Sequence, residues 1–132
     1  MKKIIIDMHG ADAGIIPIIN GAAQALSAFD ELNLVLVGDT ATAKNALNDC
    51  GADFSRIEFI DADDFITNHD PASCVFGGRD GSSMVKALLH LKSDEDCFAL
   101  ISAGSTGPLL VGSICRLGLI DGIKRPALSC AL

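Results

Sequence analysis

The five cysteines include no Cys-x-x-Cys and are odd in number, so neither a disulfide scaffold nor a zinc pattern is spelled out. No apolar run approaches the roughly 20 residues of a membrane-spanning helix. The opening Met1-Lys2-Lys3-Ile4-Ile5-Ile6-Asp7 holds an apolar stretch far too short for a signal peptide, and Asp7 closes it. The expectation from these absences is a protein of the reducing cytoplasm. Basic residues are also scarce, 10 Lys and Arg against 17 Asp and Glu, for a formal charge of −7. Nucleic acid needs a Lys/Arg surface to displace counterions, so no nucleic-acid partner is expected. The same deficit argues against electrostatic docking on anionic lipid, leaving at most peripheral membrane association. Tryptophan and tyrosine are missing too, while glycine is abundant at 13. That is the profile of a compact α/β protein with small residues where helices meet a sheet.

Two phosphate-binding signatures are absent. A Walker loop needs four residues between its glycines and Lys-Ser/Thr after the second. Here Gly104 and Gly107 enclose two residues, and Pro108 follows. No G-x-G-x-x-G follows the first apolar run, so the dinucleotide fingerprint is missing as well.

At 132 residues the chain fits one domain, spanning 1–132. Lys3 to Met8 reads as a central parallel strand, emptying into His9-Gly10-Ala11-Asp12-Ala13-Gly14. A helix from Pro17 presents Ile18, Ala22, Ala25, Leu26 and Phe29 on one face. Leu34 to Val37 is a second strand. Asp39 or Thr40 then caps a helix stopping at Gly51, and Ile57 to Ile60 is a third strand. From Asp61 to Gly81 no period emerges, the pattern of a lid, a binding segment or disorder, and the segment is expected to be the most mobile. Ser82-Ser83 opens a helix through Leu91, and Asp94-Glu95-Asp96 reads as a solvated turn. Cys97 to Ile101 is a fourth strand, Leu109 to Leu117 a helix, and Ala127 to Leu132 a fifth strand. Cys97, Cys115 and Cys130 sit in apolar runs and read as small core residues.

Strands alternating with helices imply a parallel sheet, and ligands of such sheets sit beyond the carboxyl ends of the strands. That edge gathers Asp7, His9, Gly10 and Asp12, the long loop, and Gly104-Ser105-Thr106-Gly107. Glycine lets backbone N–H groups approach a ligand, and a helix start carries partial positive charge. The strand, Gly/Ser/Thr turn and helix start around Gly104 therefore suit phosphate or carboxylate. The plain alternative is that Ser105 or Thr106 caps the helix and Gly104 makes a turn. His9 has the alternative of packing in its turn, Asp7 and Asp12 of holding that turn, Ser82 and Ser83 of capping. Lys86, one turn beyond Ser82, reads as a solvated side chain within reach of the same rim.

Taken together these segments resemble the PlsX family, which transfers an acyl group from acyl carrier protein to inorganic phosphate. The family's D-A-M-G-G-D is similar to Asp7-Met8-His9-Gly10-Ala11-Asp12, and its K-D-S-S-M to Arg79-Asp80-Gly81-Ser82-Ser83-Met84 with one inserted residue. Its S-A-G-N-T-G-A-L-L resembles Ser102-Ala103-Gly104-Ser105-Thr106-Gly107-Pro108-Leu109-Leu110, and its G-I-x-R-P-A-L resembles Gly122-Ile123-Lys124-Arg125-Pro126-Ala127-Leu128. The likeness runs the length of this chain and covers about the first two-fifths of a typical member. Departures are Ala11 for the second glycine, Ala13 where a histidine is common, and a basic run thinned to Arg79.

The resemblance implies a three-layer, doubly wound α/β fold with a mainly parallel sheet, of the kind shared with phosphotransacetylase and the isocitrate and isopropylmalate dehydrogenases. It implies that Gly104, Ser105, Thr106 and Gly107 cradle phosphate, that Ser82 and Ser83 line the pocket, and that Asp7, His9, Gly10, Asp12 and Arg79 border it. Acyl carrier protein and inorganic phosphate are the implied partners. No metal or organic cofactor and no protein nucleophile are implied, and a homo-oligomer, a dimer, is expected. Gly104→Val is expected to block the ligand while leaving the helix formed. The last helix (Leu109, Gly112, Ile114, Leu117) and the fifth strand are the expected contact surface. Two other readings stay open: a truncated, non-catalytic domain that only binds anions, and a nucleotide-binding domain, which the missing fingerprint disfavours.

Overall fold

The computed structural model describes residues 2–129. Among them, four strands form an all-parallel sheet in the order β3-β2-β1-β4. The strands are β1 (Lys3–Asp7), β2 (Asn33–Gly38), β3 (Ile57–Asp61) and β4 (Cys97–Ser102). The helices are α1 (Ile15–Ala28), α2 (Thr40–Asp49), α3 (Ser83–Ser93) and α4 (Thr106–Gly112), which runs on into a wider turn at Ser113–Leu117. The expected layered α/β architecture forms.

Burial on both faces explains why the central strands show no polar alternation. Ile6, Leu34 and Leu36 pack against Ile19, Ala22 and Leu26 of α1 and Ala43 and Leu47 of α2. On the other face Ile5, Val35 and Val37 meet Ala87 of α3. Asp39 caps α2 by accepting from Thr42 N–H at 3.0 Å, and Gly51, with φ of +67°, turns the chain away beyond it. The chain steps outward through β2 and β3, then returns beside β1 as β4. Neighbours reached in opposite directions leave a crevice at their carboxyl ends, and the candidate site lies there. No helix among the described residues is long and apolar enough to cross a membrane.

Several expectations are corrected. Ala127 to Ser129 form no strand, and the rest of that expected fifth strand lies outside the described residues. Cys115 is exposed, although Cys97 is buried. Gly112 is buried and Leu109 and Leu117 pack inward on Val75, Met84 and Leu88, so this helix face is core and not a free contact surface. The large exposed apolar residues include Phe98 and Ile101 on strand β4, Phe29 after α1, Phe76 in the long loop, and Ile120 and Leu128 beyond α4. Asp94 is more than a solvated turn residue, since it accepts from Lys3 Nζ at 2.9 Å.

The segment from Asp61 to Gly81 lacks periodicity because its order comes from side-chain cations, Arg79 foremost, and two apolar anchors. Arg79 donates to both Asp64 oxygens at 2.7 and 3.0 Å, to Asp70 at 3.0 Å and to the Phe65 carbonyl at 2.7 Å. Ile66 and Val75 are buried among Met84, Val85 and Leu88. Arg116 holds the Val75 carbonyl at 2.8 and 3.1 Å. Arg79→Ala is expected to cost about 1–2 kcal/mol, with the partial exposure of the pairs discounting it. Amides of this segment should then exchange about tenfold faster while those of β2 stay unchanged, a contrast readable by hydrogen exchange. Equal acceleration in both would show that Arg79 is not its anchor.

Candidate functional site

Asp7 ends β1 with its side chain 1% exposed, and Ser102 ends β4 directly beside it. Ser102 Oγ donates to Asp7 Oδ2 at 2.8 Å and accepts from Gly104 N–H at 3.1 Å. Asp7 Oδ1 accepts from His9 N–H at 3.3 Å. The carboxyl thus links the β1 loop to the glycine turn after β4. Burial is the largest influence on it and pushes its pKa above the ordinary 3.8; the hydroxyls of Ser83 and Ser102 and the His9 N–H only partly oppose this. Ser83 Oγ is buried without a properly aligned hydrogen bond, so it is a polar neighbour of Asp7 and not a bonded partner.

A raised carboxyl pKa means that the folded chain holds the Asp7 proton more tightly than the unfolded chain. Its contribution to stability is complete below the ordinary 3.8 and is lost as pH rises through the folded value. Asp7→Asn is therefore expected to raise the melting temperature at neutral pH, by a margin that shrinks as the pH is lowered toward 4. A margin independent of pH would show that Asp7 is not held against its charge.

Around this carboxyl the backbones come very close. Gly10 has φ of +90°, and a Cβ there would lie 2.7 Å from Gly104 Cα. His9 stacks on Phe65 with ring centroids 4.9 Å apart, and its Nε2 accepts from Asp39 N–H at 3.0 Å. An acceptor at Nε2 places the neutral ring's proton on Nδ1. His9 also borders a cleft of about 330 Å³ with Gly10, Ala11, Phe65, Thr67 and Asn68. A larger cavity, about 750 Å³, lies between α1 and the Cys50–Arg56 region and touches none of these residues.

Two helices begin at this rim. Ser82 precedes α3 and Ser105 precedes α4, yet neither side chain caps its helix. Ser82 Oγ donates instead to the Arg79 carbonyl at 2.7 Å. At α3 the Ser82 and Ser83 N–H groups donate to the Arg79 and Asp64 carbonyls at 3.0 and 2.9 Å, whereas the first N–H groups of α4 have no side-chain acceptor among the described residues. The structure thus brings together Asp7, His9, Gly10, Ser83 and Gly104, with Ser82, Ser105, Thr106 and Gly107 at the two helix starts. It holds others apart: Asp12 is exposed, 3.5 Å from Asn68 Nδ2; Arg79 is engaged by Asp64 and Asp70; and Lys86 Nζ donates to the Asp61 carbonyl at 2.8 Å.

The glycines of the turn are filled from within. A Cβ at Gly104 would lie 3.2 Å from Ser102 Oγ, 3.3 Å from Met84 Cε and 3.4 Å from the His9 carbonyl, and one at Gly107 3.3 Å from Ala72 Cβ. Gly104→Val would therefore clash with protein atoms before meeting any ligand, which corrects the sequence expectation. Ser102 and Phe65 are site residues that the motif reading passed over. Ser102 lay inside the quoted motif; Phe65 lay in the segment without period.

The chain matches the family described as fatty acid synthesis protein across residues 2–132. It belongs to that family. Family relatives named phosphate acyltransferase include one from Clostridium perfringens (strain SM101), 40% identical over 128 residues, covering 96% of this chain and 37% of the relative. Another, from Dictyoglomus turgidum, is 35% identical over 127 residues, covering 96% and 37%. A third, from Halothermothrix orenii, is 32% identical, covering 96% and 38%. The chain thus spans under two-fifths of the length of these relatives. Asp7, Gly10, Ser82-Ser83-Met84 and Gly104 to Gly107, the positions that carry the PlsX resemblance, are those around which the rim is built.

Proposed function

We propose that this chain forms the phosphate-binding part of a phosphate acyltransferase of fatty acid and phospholipid synthesis. The substrates in this reading are acyl-acyl carrier protein and inorganic phosphate. The single observation carrying it is the start of α4 at Ser105-Thr106, without a side-chain cap, beside the Gly10–Gly104 approach and the Ser82-Ser83 turn. N–H groups at Thr106 and Gly107 and the hydroxyls of Ser105 and Thr106 are the proposed donors to phosphate. A phosphate oxygen attacks the thioester carbonyl carbon, the C–S bond breaks, and the carrier thiolate leaves and is protonated. Held phosphate is itself the nucleophile, so positioning and oxyanion donors provide the catalysis. His9 Nδ1–H is proposed as one such donor. Gly10 and Asp7 hold the turns in place, Arg79 acts through the loop it anchors, and Asp12 lies at the outer edge. Within this proposal the protein works in the cytoplasm as a dimer.

A second reading is an anion-binding chain that does not turn over alone. Amide NMR during titration with inorganic phosphate tests the shared premise. Saturable shifts are expected at Ser105, Thr106 and Gly107; shifts confined to other segments would end the proposal. Trapping acyl phosphate with hydroxylamine, after adding acyl-acyl carrier protein, then separates the two readings.

A further inference from the structure

At the opposite edge of the sheet, around the amino ends of the strands, lies a cluster that the proposed chemistry does not use. His90 sits in the last turn of α3, Asp94 caps that helix, and Cys97 opens β4. One ligating atom from each lies within 4.8 Å of the others. His90 Nε2 has almost no accessible surface and makes no hydrogen bond, an orphaned acceptor or donor in a buried place. It faces two carboxylate oxygens, Asp94 Oδ2 and Glu58 Oε1, each at 3.6 Å. That spacing is too long for a hydrogen bond. It suits two ligands of one ion, because metal–ligand bonds of about 2.0–2.3 Å put tetrahedral neighbours about 3.3–3.8 Å apart.

We propose that His90, Asp94, Cys97 and Glu58 form a structural zinc site. One imidazole, one thiolate and two carboxylates make four protein ligands, a closed set for a borderline-soft divalent cation. Cysteine sulfur and histidine nitrogen disfavour magnesium or calcium, which take oxygen. On coordination Cys97 gives its thiol proton to solvent and the Zn–S bond forms, with no change in oxidation state. Three anionic ligands against a divalent ion leave one negative charge. Lys3 Nζ, 2.9 Å from both Glu58 Oε2 and Asp94 Oδ2, supplies the balancing positive charge, holding Glu58 by its second oxygen and Asp94 by the oxygen that faces His90. Asp94 Oδ1 is held in turn by Asp96 N–H at 2.9 Å. The ion would clasp the end of α3 to both β3 and β4, remote from the rim. No Cys-x-x-Cys announces the site because its ligands come from a helix end, a turn and two strands.

The test uses the full chain after chelator treatment and titrates it with Co²⁺, then Zn²⁺. One equivalent of Co²⁺ should give a thiolate-to-metal charge-transfer band and strong tetrahedral visible bands, both abolished by one equivalent of Zn²⁺. Cys97→Ser should remove the charge-transfer band, while the Cys50→Ser/Cys115→Ser double variant retains it. His90→Gln, at a side chain 21% exposed and so tolerant of change, should weaken Zn²⁺ binding by at least about tenfold. No charge-transfer band in the parent chain, a band surviving in Cys97→Ser, a band lost only with Cys50 and Cys115, or unchanged Zn²⁺ affinity in His90→Gln would each overturn the proposal. Should Cys97→Ser fail to fold, His90→Gln gives the decision alone.

Discussion

Gly10→Ala is expected to destabilise the chain by about 3 kcal/mol or more and by a clear margin over Gly14→Ala, which carries only a backbone penalty of roughly 1–3 kcal/mol. Both glycines have positive φ, +90° and +79°, and Gly14, with ψ of −169°, lies in a region almost reserved for glycine, so each replacement carries a backbone penalty of roughly 1–3 kcal/mol. Only at Gly10 does the added carbon also run into backbone, with Gly104 Cα at 2.7 Å; around Gly14 nothing lies within 4 Å. Backbone cannot rotate aside like the end of a side chain. The β1 loop and the glycine turn must therefore separate, and Asp7, Ser102 and His9 lose their relative placement. Urea denaturation of both variants reads the difference directly. Equal losses would mean that the close approach contributes nothing. Against a typical total of 5–15 kcal/mol, the expected loss is a large share of the stability. Phosphate shifts at Ser105 to Gly107 should weaken in Gly10→Ala even where it stays folded.

Leu88→Ala is expected to cost about 2–5 kcal/mol, since Leu88 is fully buried where α3, α4 and the long loop meet. Its more telling effect is on Gly112. That glycine sits inside a helical run, where alanine would normally gain about 1 kcal/mol. Alanine is disfavoured because its Cβ would lie 2.7 Å from Leu88 Cδ1, and Leu88 is fully buried with little room to turn aside. Gly112→Ala should therefore destabilise the parent chain yet stabilise Leu88→Ala, whose missing side chain leaves the space. A double-mutant cycle with additive losses would show that the two positions are not one seat.

The layered fold was legible because β1 and β2 are buried on both faces and so appear as unbroken apolar runs, Ile4-Ile5-Ile6 and Leu34-Val35-Leu36-Val37. Asp39 and Gly51 marked the ends of α2 for local reasons that any tertiary setting preserves. The rim was legible as three segments, since strand ends fix which loops share an edge. Its interior wiring was not. Ser102 becomes the partner of Asp7 only through the pairing of β1 with β4, a contact across 95 positions that leaves no local trace. Phe65 and Arg79 order a segment through an aromatic stack and ion pairs, neither of which produces a period. The apolar pattern of Ala127 to Leu132 suggested a strand, but Ala127 to Ser129 remain outside the sheet.

The position of β1 between β2 and β4 also sets an order of assembly. Register with β2 joins Ile4 to Leu34, so that pair becomes available first, whereas Ile4 meets Ala99 only after the 65 further residues from Leu34 to Ala99 have been added. At ribosomal speeds of about 5–20 residues per second, β1 waits roughly 3–13 s between gaining its first neighbour and its second. During that interval its second edge is open and Asp7 is still wet. The rim between Asp7 and Ser102 is consequently among the last parts of the sheet to close. A ribosome stalled before Cys97 would hold a three-stranded intermediate with a normal α1–α2 layer and no site at all.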